Sequence, residues 1–150
     1  MQKVDSMIRG RLVYRVGQEH NPGNPFGRSS LVIEPDGSVR LEHVPSGGGP
    51  TRAWTAWFEE AALQTLWSEL DRAGFPRVAQ HSIPAGSTMR ELRVDRASVL
   101  LEWHAAGEQP GYAEVFALLD RAVRQISGEQ IRLAKTSGEP VVREVAGAGG

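Results

Sequence analysis

Hydrophobic and polar residues alternate along several short stretches of the chain, which is the pattern of β-strands that bury one face. The first stretch is 8–16, where apolar and arginine side chains fall on opposite sides. Two further runs, 30–34 and 38–44, flank a Pro-Asp-Gly sequence at 35–37. Because proline presets φ and glycine accepts a positive φ, this unit is predicted to be a β-hairpin.

The pattern changes to a helical period from about Glu59. Leucine and tryptophan side chains then recur at three- and four-residue spacing as far as Leu70, which places them on one stripe of a helix. Gly74 fits the left-handed position after a helix, and Phe75 can pack back on Leu70 before a proline prevents continuation. The preceding segment, 51–58, is compatible with a further strand or with an early helical turn.

Two more alternating runs, 89–94 and 98–104, are joined around 95–96 and predict a second hairpin. A second helix is predicted from Pro110 to Gly128. Its apolar side chains keep the helical period at Tyr112, Val115, Phe116, Leu119, Val123 and Ile126. Within it, Asp120 and Arg124 are spaced to pair on the exposed side.

The predicted order of elements is βββαββα. It indicates an α+β fold with an antiparallel sheet of about five strands and two helices packed on one face, because two apolar helix stripes can be buried against one side of a sheet. Residues 1–129 are assigned to this single domain. Residues 130–150 are predicted to be a flexible C-terminal extension, although Val141 and Val142 are compatible with an edge strand.

The composition narrows the possible chemistry. The 150 residues include no cysteine, which excludes disulfides, thiol nucleophiles and thiolate metal sites. The formal net charge is -1, so no global field is expected to recruit nucleic acid or an anionic membrane. No stretch approaches the roughly 18 apolar residues of a membrane-spanning helix, and the first residues have no apolar signal region, so a cytoplasmic location is expected.

Common enzyme motifs are missing from the sequence: a phosphate-binding loop, a nucleophile elbow and a paired-histidine zinc helix. The four histidines, His20, His43, His81 and His104, are too far apart in sequence to be paired ligands on one helix. His43 and His104 both fall near predicted strand ends and can meet across the sheet. Polar residues at a sheet edge are the simpler interpretation, so no metal and no cofactor is predicted.

Arginine side chains form a row on one side of the first strand. The row comprises Arg9, Arg11 and Arg15, with Arg93 expected on the same sheet face. Acidic side chains are expected on or near that face at Glu42, Glu91 and Glu102. Because stacking aromatics do not alternate with the arginines, the pattern favours a solvated face of mixed charge over a nucleic-acid interface.

The segment 18–28, QEHNPGNPFGR, is the best candidate for a binding loop, since its prolines and glycines favour a shaped loop over regular structure. Loops stiffened by proline lose less entropy on binding. The predicted partner contacts are an apolar anchor, Phe26, and the polar residues His20, Asn21, Asn24 and Arg28. Trp54 and Trp57 follow a glycine-rich run and are further candidates for a partner surface, with a cap over the sheet edge as the alternative.

A series of fragments resembles one protein family. The fragments are LVYRVG, LVIEPDGSVRLEHV, ELDRAGFP, RELRV, SVLLEWH and VFALLD. In this order, over roughly residues 8–126, they resemble the emfourin-like proteins that inhibit thermolysin-type metalloproteases. The chain departs from that pattern at 16–18, where paired glycines are expected, and by an insertion at 46–57. The resemblance implies an inhibitor or regulator whose partner is a metalloprotease.

Two hypotheses follow. The favoured one is a non-enzymatic protein-binding module, an inhibitor or regulator of a protease that acts through the segment 18–28. The alternative is a small-ligand-binding protein or enzyme with a pocket between sheet and helices, built from His43, His104 and nearby arginines. A deep pocket with a perturbed histidine would favour the alternative, whereas a protruding ordered loop would favour the binding module.

Overall fold

A computed structural model of the chain describes residues 10–17, 27–45, 49–78, 88–102, 109, 111–131, 133 and 138–147. The strands are β1 (Leu12–Gly17), β2 (Arg28–Ile33), β3 (Ser38–Val44), β4 (Arg52–Phe58), β5 (Met89–Val94), β6 (Ala97–Glu102) and β7 (Val142–Gly147). The helices are α1 (Glu60–Ala73) and α2 (Tyr112–Ile126). All strands belong to one antiparallel sheet in the order β6-β5-β1-β2-β3-β4-β7.

The mixed fold, the antiparallel sheet and the two helices are confirmed, but the strand count and element order are not. The sheet has seven strands where about five were predicted, and the order is ββββαββαβ instead of βββαββα. The segment 51–58 forms β4, which pairs with β3. β7 lies within 130–150, the segment predicted to be an extension. Its residues after Val142 are exposed, so no alternation of apolar residues marks it as a strand.

Two features predicted from neighbouring residues, the turn between β2 and β3 and the end of α1, are present in the structure. In the β2–β3 hairpin, Oδ1 of Asp36 accepts hydrogen bonds from the backbone N–H and the hydroxyl of Ser38 at 2.9 and 2.8 Å. At the end of α1, Gly74 has φ 82° and the N–H of Phe75 donates to the carbonyl of Leu70 at 3.1 Å. Phe75 is buried, so the predicted helix ending is confirmed.

The two faces of the sheet differ in character. Alternate strand residues such as Leu12, Leu31 and Leu41 are fully buried in one core with the apolar stripes of the helices. The other face, here called the bare face, carries charged side chains of both signs, as predicted. Its ion pairs include Arg11–Glu34 at 2.8 Å, Arg40–Glu42 at 2.8 Å and Arg15–Glu91 at 3.8 Å.

The two ends of the sheet also differ. At one end, the turns at 34–37 and 95–96 join neighbouring strands directly. The other end, here called the loop end, is defined by the paired strand termini Gly17, Arg28, Val44, Arg52, Met89 and Glu102. The connections 18–27, 45–51 and 103–111 begin there; the first two join neighbouring strands, and the third leads from β6 to α2. In the described ranges, neither helix has the length and hydrophobicity needed to cross a membrane.

The start of α2 packs against the end of α1 through a glycine, which gives a stability prediction. Gly111 has φ 83°, and a Cβ there would lie 2.7 Å from Cα of Ala73. Gly128 also has a positive φ, 62°, but no atom lies within 4 Å of its Cβ position. Replacing either glycine by alanine should cost about 1–2 kcal/mol of backbone strain. Gly111→Ala should cost a further 1–3 kcal/mol, roughly, from overpacking.

Urea unfolding of the two alanine variants measures this difference. Equal losses of stability would show that the close approach of Gly111 to α1 does not constrain the helix pair.

Candidate functional site

Three polar side chains from two strands and one helix meet inside the core. Tyr14 of β1, Arg90 of β5 and Asp120 of α2 are 0%, 8% and 5% exposed. The Tyr14 hydroxyl donates to Oδ1 of Asp120 at 2.6 Å. Nη1 of Arg90 lies 3.1 and 3.0 Å from the two carboxylate oxygens of Asp120 and also donates to the Tyr14 hydroxyl. We call these three residues the buried polar cluster.

The strand register and the helix stripe bring the cluster together. Val16 pairs with Arg90 across β1 and β5, so Tyr14 and Arg90 are diagonal neighbours on the helix-facing side. The Phe116 ring packs against both, with its centroid 5.6 Å from that of Tyr14 and 5.0 Å from the guanidinium carbon of Arg90. The cluster therefore links α2 to two adjacent strands, β1 and β5.

The predicted pairing of Asp120 with Arg124 on an exposed face is wrong. Asp120 is buried, and Arg124 instead lies 2.6 Å from Glu129. The spacing of Asp120 from Phe116 and Val123 places it on the apolar stripe of α2. Its place on the apolar stripe was the sequence feature that could have indicated its burial, because an acid on such a stripe needs a buried partner.

Burial controls the ionisation of the cluster. It raises the pKa of Tyr14 well above its ordinary value, and the Asp120 charge adds to this rise. The phenol therefore stays protonated and acts as a donor. Burial also raises the pKa of Asp120, while Arg90 and Tyr14 act in the opposite direction. Because both neighbours donate to its oxygens, Asp120 is best assigned as a carboxylate that neutralises Arg90.

A second polar group lies on the helix-facing side at the loop end. Ser29 and His43 are direct partners across β2 and β3, with Oγ of Ser29 2.9 Å from Nδ1 of His43. Burial lowers the pKa of half-buried His43, and the charge of Arg52 adds to this effect. Ser29 is only 3% exposed, which keeps its hydroxyl from solvent. The pair resembles a cross-strand structural contact more than a nucleophile and base.

Several predicted site residues fall outside the described part of the chain. These are His20, Asn21, Asn24 and Phe26, together with His104, whose predicted meeting with His43 is untested. Within the described ranges, no group of three or more His, Asp or Glu side chains is placed to hold a metal ion. Arg28 is described, and it begins β2 opposite Gly17.

The two candidate tryptophans lie on opposite faces of β4. Trp54 is 4% exposed and packs in the core, so it does not present its ring to a partner. Trp57 is half-buried on the bare face, with the guanidinium of Arg143 5.8 Å from its ring centroid. Trp57 pairs with Ser38 near the turn end of the sheet, whereas Arg28 lies at the loop end. The structure therefore does not bring Trp57 and Arg28 together.

An open groove of about 400 Å³ lies on the bare face beside Trp57. Its other charged and polar lining residues are Arg11, Glu34, Ser38, Arg40, Thr55 and Glu144. The groove depends on the register of several strands, so the sequence pattern did not indicate it.

No protein-family model, curated protein or solved structure matches the chain.

The buried polar cluster predicts a large loss of stability when the carboxylate of Asp120 is replaced by an uncharged amide. Asp120→Asn keeps the shape of the side chain but leaves Arg90 as an uncompensated buried charge, which should cost about 3–5 kcal/mol of unfolding free energy. Glu114→Gln is the matched control, because Glu114 is an exposed acid on the same helix. It should change stability by no more than about 0.5 kcal/mol. Similar small losses in both variants would contradict the cluster's role.

His43 predicts a pH dependence of stability. Its pKa is lowered in the folded state from the ordinary value of 6.5, so the unfolded chain binds more protons as the pH falls through that range. Stability should therefore fall between about pH 7.5 and 5.5, and the loss should be smaller in His43→Gln. Denaturant unfolding across this range measures it. Identical pH profiles for the two proteins would contradict the lowered pKa.

Proposed function

We propose that the protein is a non-enzymatic protein-binding module that contacts its partner through the segment 18–28. The observation that supports this proposal is the pairing of β1 and β2 as far as Gly17 and Arg28, where the segment begins and ends. Both strands lie in the interior of the sheet, between β5 and β3. A segment whose two ends are fixed in this way has less conformational freedom to lose when it binds.

The close approach of the strands at this point depends on glycine. Gly17 has φ 116°, and a Cβ there would lie 1.9 Å from the carbonyl oxygen of Gly27. A side chain at Gly17 would therefore collide with the opposite backbone. The two glycines let the ends of the segment leave the sheet in direct backbone contact, which makes the base of the loop narrow.

The proposed partner is a metalloprotease of the thermolysin type. The fragments that resemble emfourin-like inhibitors fall in order on β1, the β2–β3 hairpin, the end of α1, the β5–β6 hairpin and α2. They therefore coincide with the framework that holds the segment 18–28. In this proposal the framework supplies rigidity, and the segment supplies Phe26 as an apolar anchor with His20, Asn21, Asn24 and Arg28 as polar contacts.

A non-enzymatic role accords with the chemistry of the buried polar cluster. The Tyr14 hydroxyl and Nη1 of Arg90 both donate to the carboxylate of Asp120, and at most 8% of any of the three residues is exposed. Such an arrangement holds elements together and offers no accessible position to a substrate. The cluster is thus assigned to the framework.

The Ser29–His43 pair favours a second candidate function, a small-ligand site between sheet and helices near the loop end. Its histidine has a lowered pKa and is only half-buried, and perturbed titratable groups are common at functional sites. Binding of a ligand there would shift the titration of His43 in NMR spectra. Binding of a protein through 18–28 would instead be weakened by Phe26→Ala, a residue that this ligand site does not include.

Inhibition of thermolysin tests the proposed function. The wild-type protein is expected to inhibit peptide hydrolysis, and the variant Phe26→Ala/Arg28→Ala should raise the inhibition constant by about 100-fold, equivalent to about 2.7 kcal/mol. The matched control, Trp57→Ala/Arg40→Ala, also removes one aromatic ring and one arginine, but from the bare face. It should change the constant by less than about threefold.

A larger loss of inhibition in the control variant would indicate that the partner binds at the groove beside Trp57 and not at 18–28. Absence of inhibition would remove the metalloprotease as partner, and a pull-down from native extract with the same two variants would then test whether any partner depends on Phe26 and Arg28. A partner that neither variant affects would contradict the proposed contact.

A further inference from the structure

Among the strands that the structure describes, β6 and β7 form the two edges of the sheet. Each carries one of the two large hydrophobic side chains that are exposed in the described part of the chain. Leu100 of β6 is 48% exposed, and Val145 of β7 is 44% exposed. An edge strand offers a row of backbone N–H and C=O groups to any strand that can align with it.

β7 has features that oppose such pairing. Its register with β4 shifts between Thr55 and Trp57, and Glu144 has a φ of 55°, so the strand is irregular at its centre. The charged groups of Arg143 and Glu144 lie 2.5 Å apart in this irregular part of the strand. Bulges and charges on edge strands are common means by which proteins prevent pairing between edges.

β6 has a regular edge. Its six residues pair with β5 in an unbroken register from Ala97 to Glu102. Val99 and Leu101 are buried on the helix side, while Ser98 and Leu100 are exposed on the bare side. In the described part of the chain, β6 has no strand on its outer side.

We propose that the outer edge of β6 pairs antiparallel with β6 of a second copy of the chain and forms a two-fold dimer. When Leu100 lies opposite Leu100 of the partner subunit, Ser98 lies opposite Glu102 of the partner subunit, and Val99 lies opposite Leu101 of the partner subunit. The apolar side chains thus meet each other across the two strands. The strand is complementary to itself in this register.

This pairing closes at two copies because the same edge is used by both subunits, whereas pairing of β6 with β7 would continue into a fibre. The two-fold axis is perpendicular to the sheet, so both helix layers lie on one side of a continuous sheet. The two loop ends then point in opposite directions. If the segment 18–28 binds a partner as proposed above, the dimer binds two partner molecules independently.

Disulfide trapping tests the register, and the absence of native cysteine makes the result unambiguous. Directly opposite residues in an antiparallel pair have Cα atoms about 4.5–5.5 Å apart, within the range of disulfide bonds. Mild oxidation of the full chain carrying Leu100→Cys should therefore yield a covalent dimer. Val145→Cys, equally exposed on the other edge, should stay monomeric. Ser98→Cys should also stay monomeric, because residue 98 lies opposite residue 102.

Sedimentation velocity tests the dimer without a cross-link. The wild type and Val145→Lys should dimerise as concentration rises towards about 1 mM, while Leu100→Lys should remain a folded monomer, with its fold checked by circular dichroism. A monomeric wild type at every concentration would overturn the proposal. Equal trapping of the cysteine variants at 100 and 145 would also overturn it, as would a dimer that survives Leu100→Lys.

Discussion

The contact of Asp120 with Tyr14 and Arg90 is the interaction on which the arrangement of helices and sheet depends. Apolar packing can be satisfied by several positions of a helix on a sheet, because hydrophobic attraction has little directionality. A buried carboxylate is stable only where its donors reach it with good geometry. Since the donors come from two neighbouring strands, we infer that they select one position and one orientation of α2. The cluster thus gives specificity to a core whose stability comes mainly from apolar burial.

The position of α2 has consequences at the loop end. Tyr14 lies on β1, which pairs with β2 as far as the point where Gly17 approaches Gly27. The strands that hold the segment 18–28 are therefore part of the same framework that the cluster fixes. A rigid framework lowers the entropy lost when a loop binds, and this connects a buried structural contact with the proposed binding function.

The local parts of the fold could be predicted from the sequence. The Pro-Asp-Gly turn, the ending of α1 at Gly74 and the apolar stripe of α2 each depend on residues close together in the chain. Val141 and Val142 were compatible with an edge strand, but the full extent of β7 could not be predicted. The strand pairs with β4, which is about 90 residues earlier, and its exposed side chains carry no period. Asp120 was misassigned for a related reason. Its partners, Tyr14 and Arg90, are 106 and 30 residues away, and only the sheet register brings them together.

One buried polar cluster holds α2 on the adjacent strands β1 and β5. Native-state hydrogen exchange of the wild type and the Asp120→Asn variant tests this role of the cluster. In the variant, amides of α2, β1 and β5 should lose protection together, while amides of the β2–β3 hairpin near Gly37 should keep more of theirs. A uniform loss across the chain, or unchanged protection in α2, would contradict it and leave apolar packing as the only determinant of the helix position.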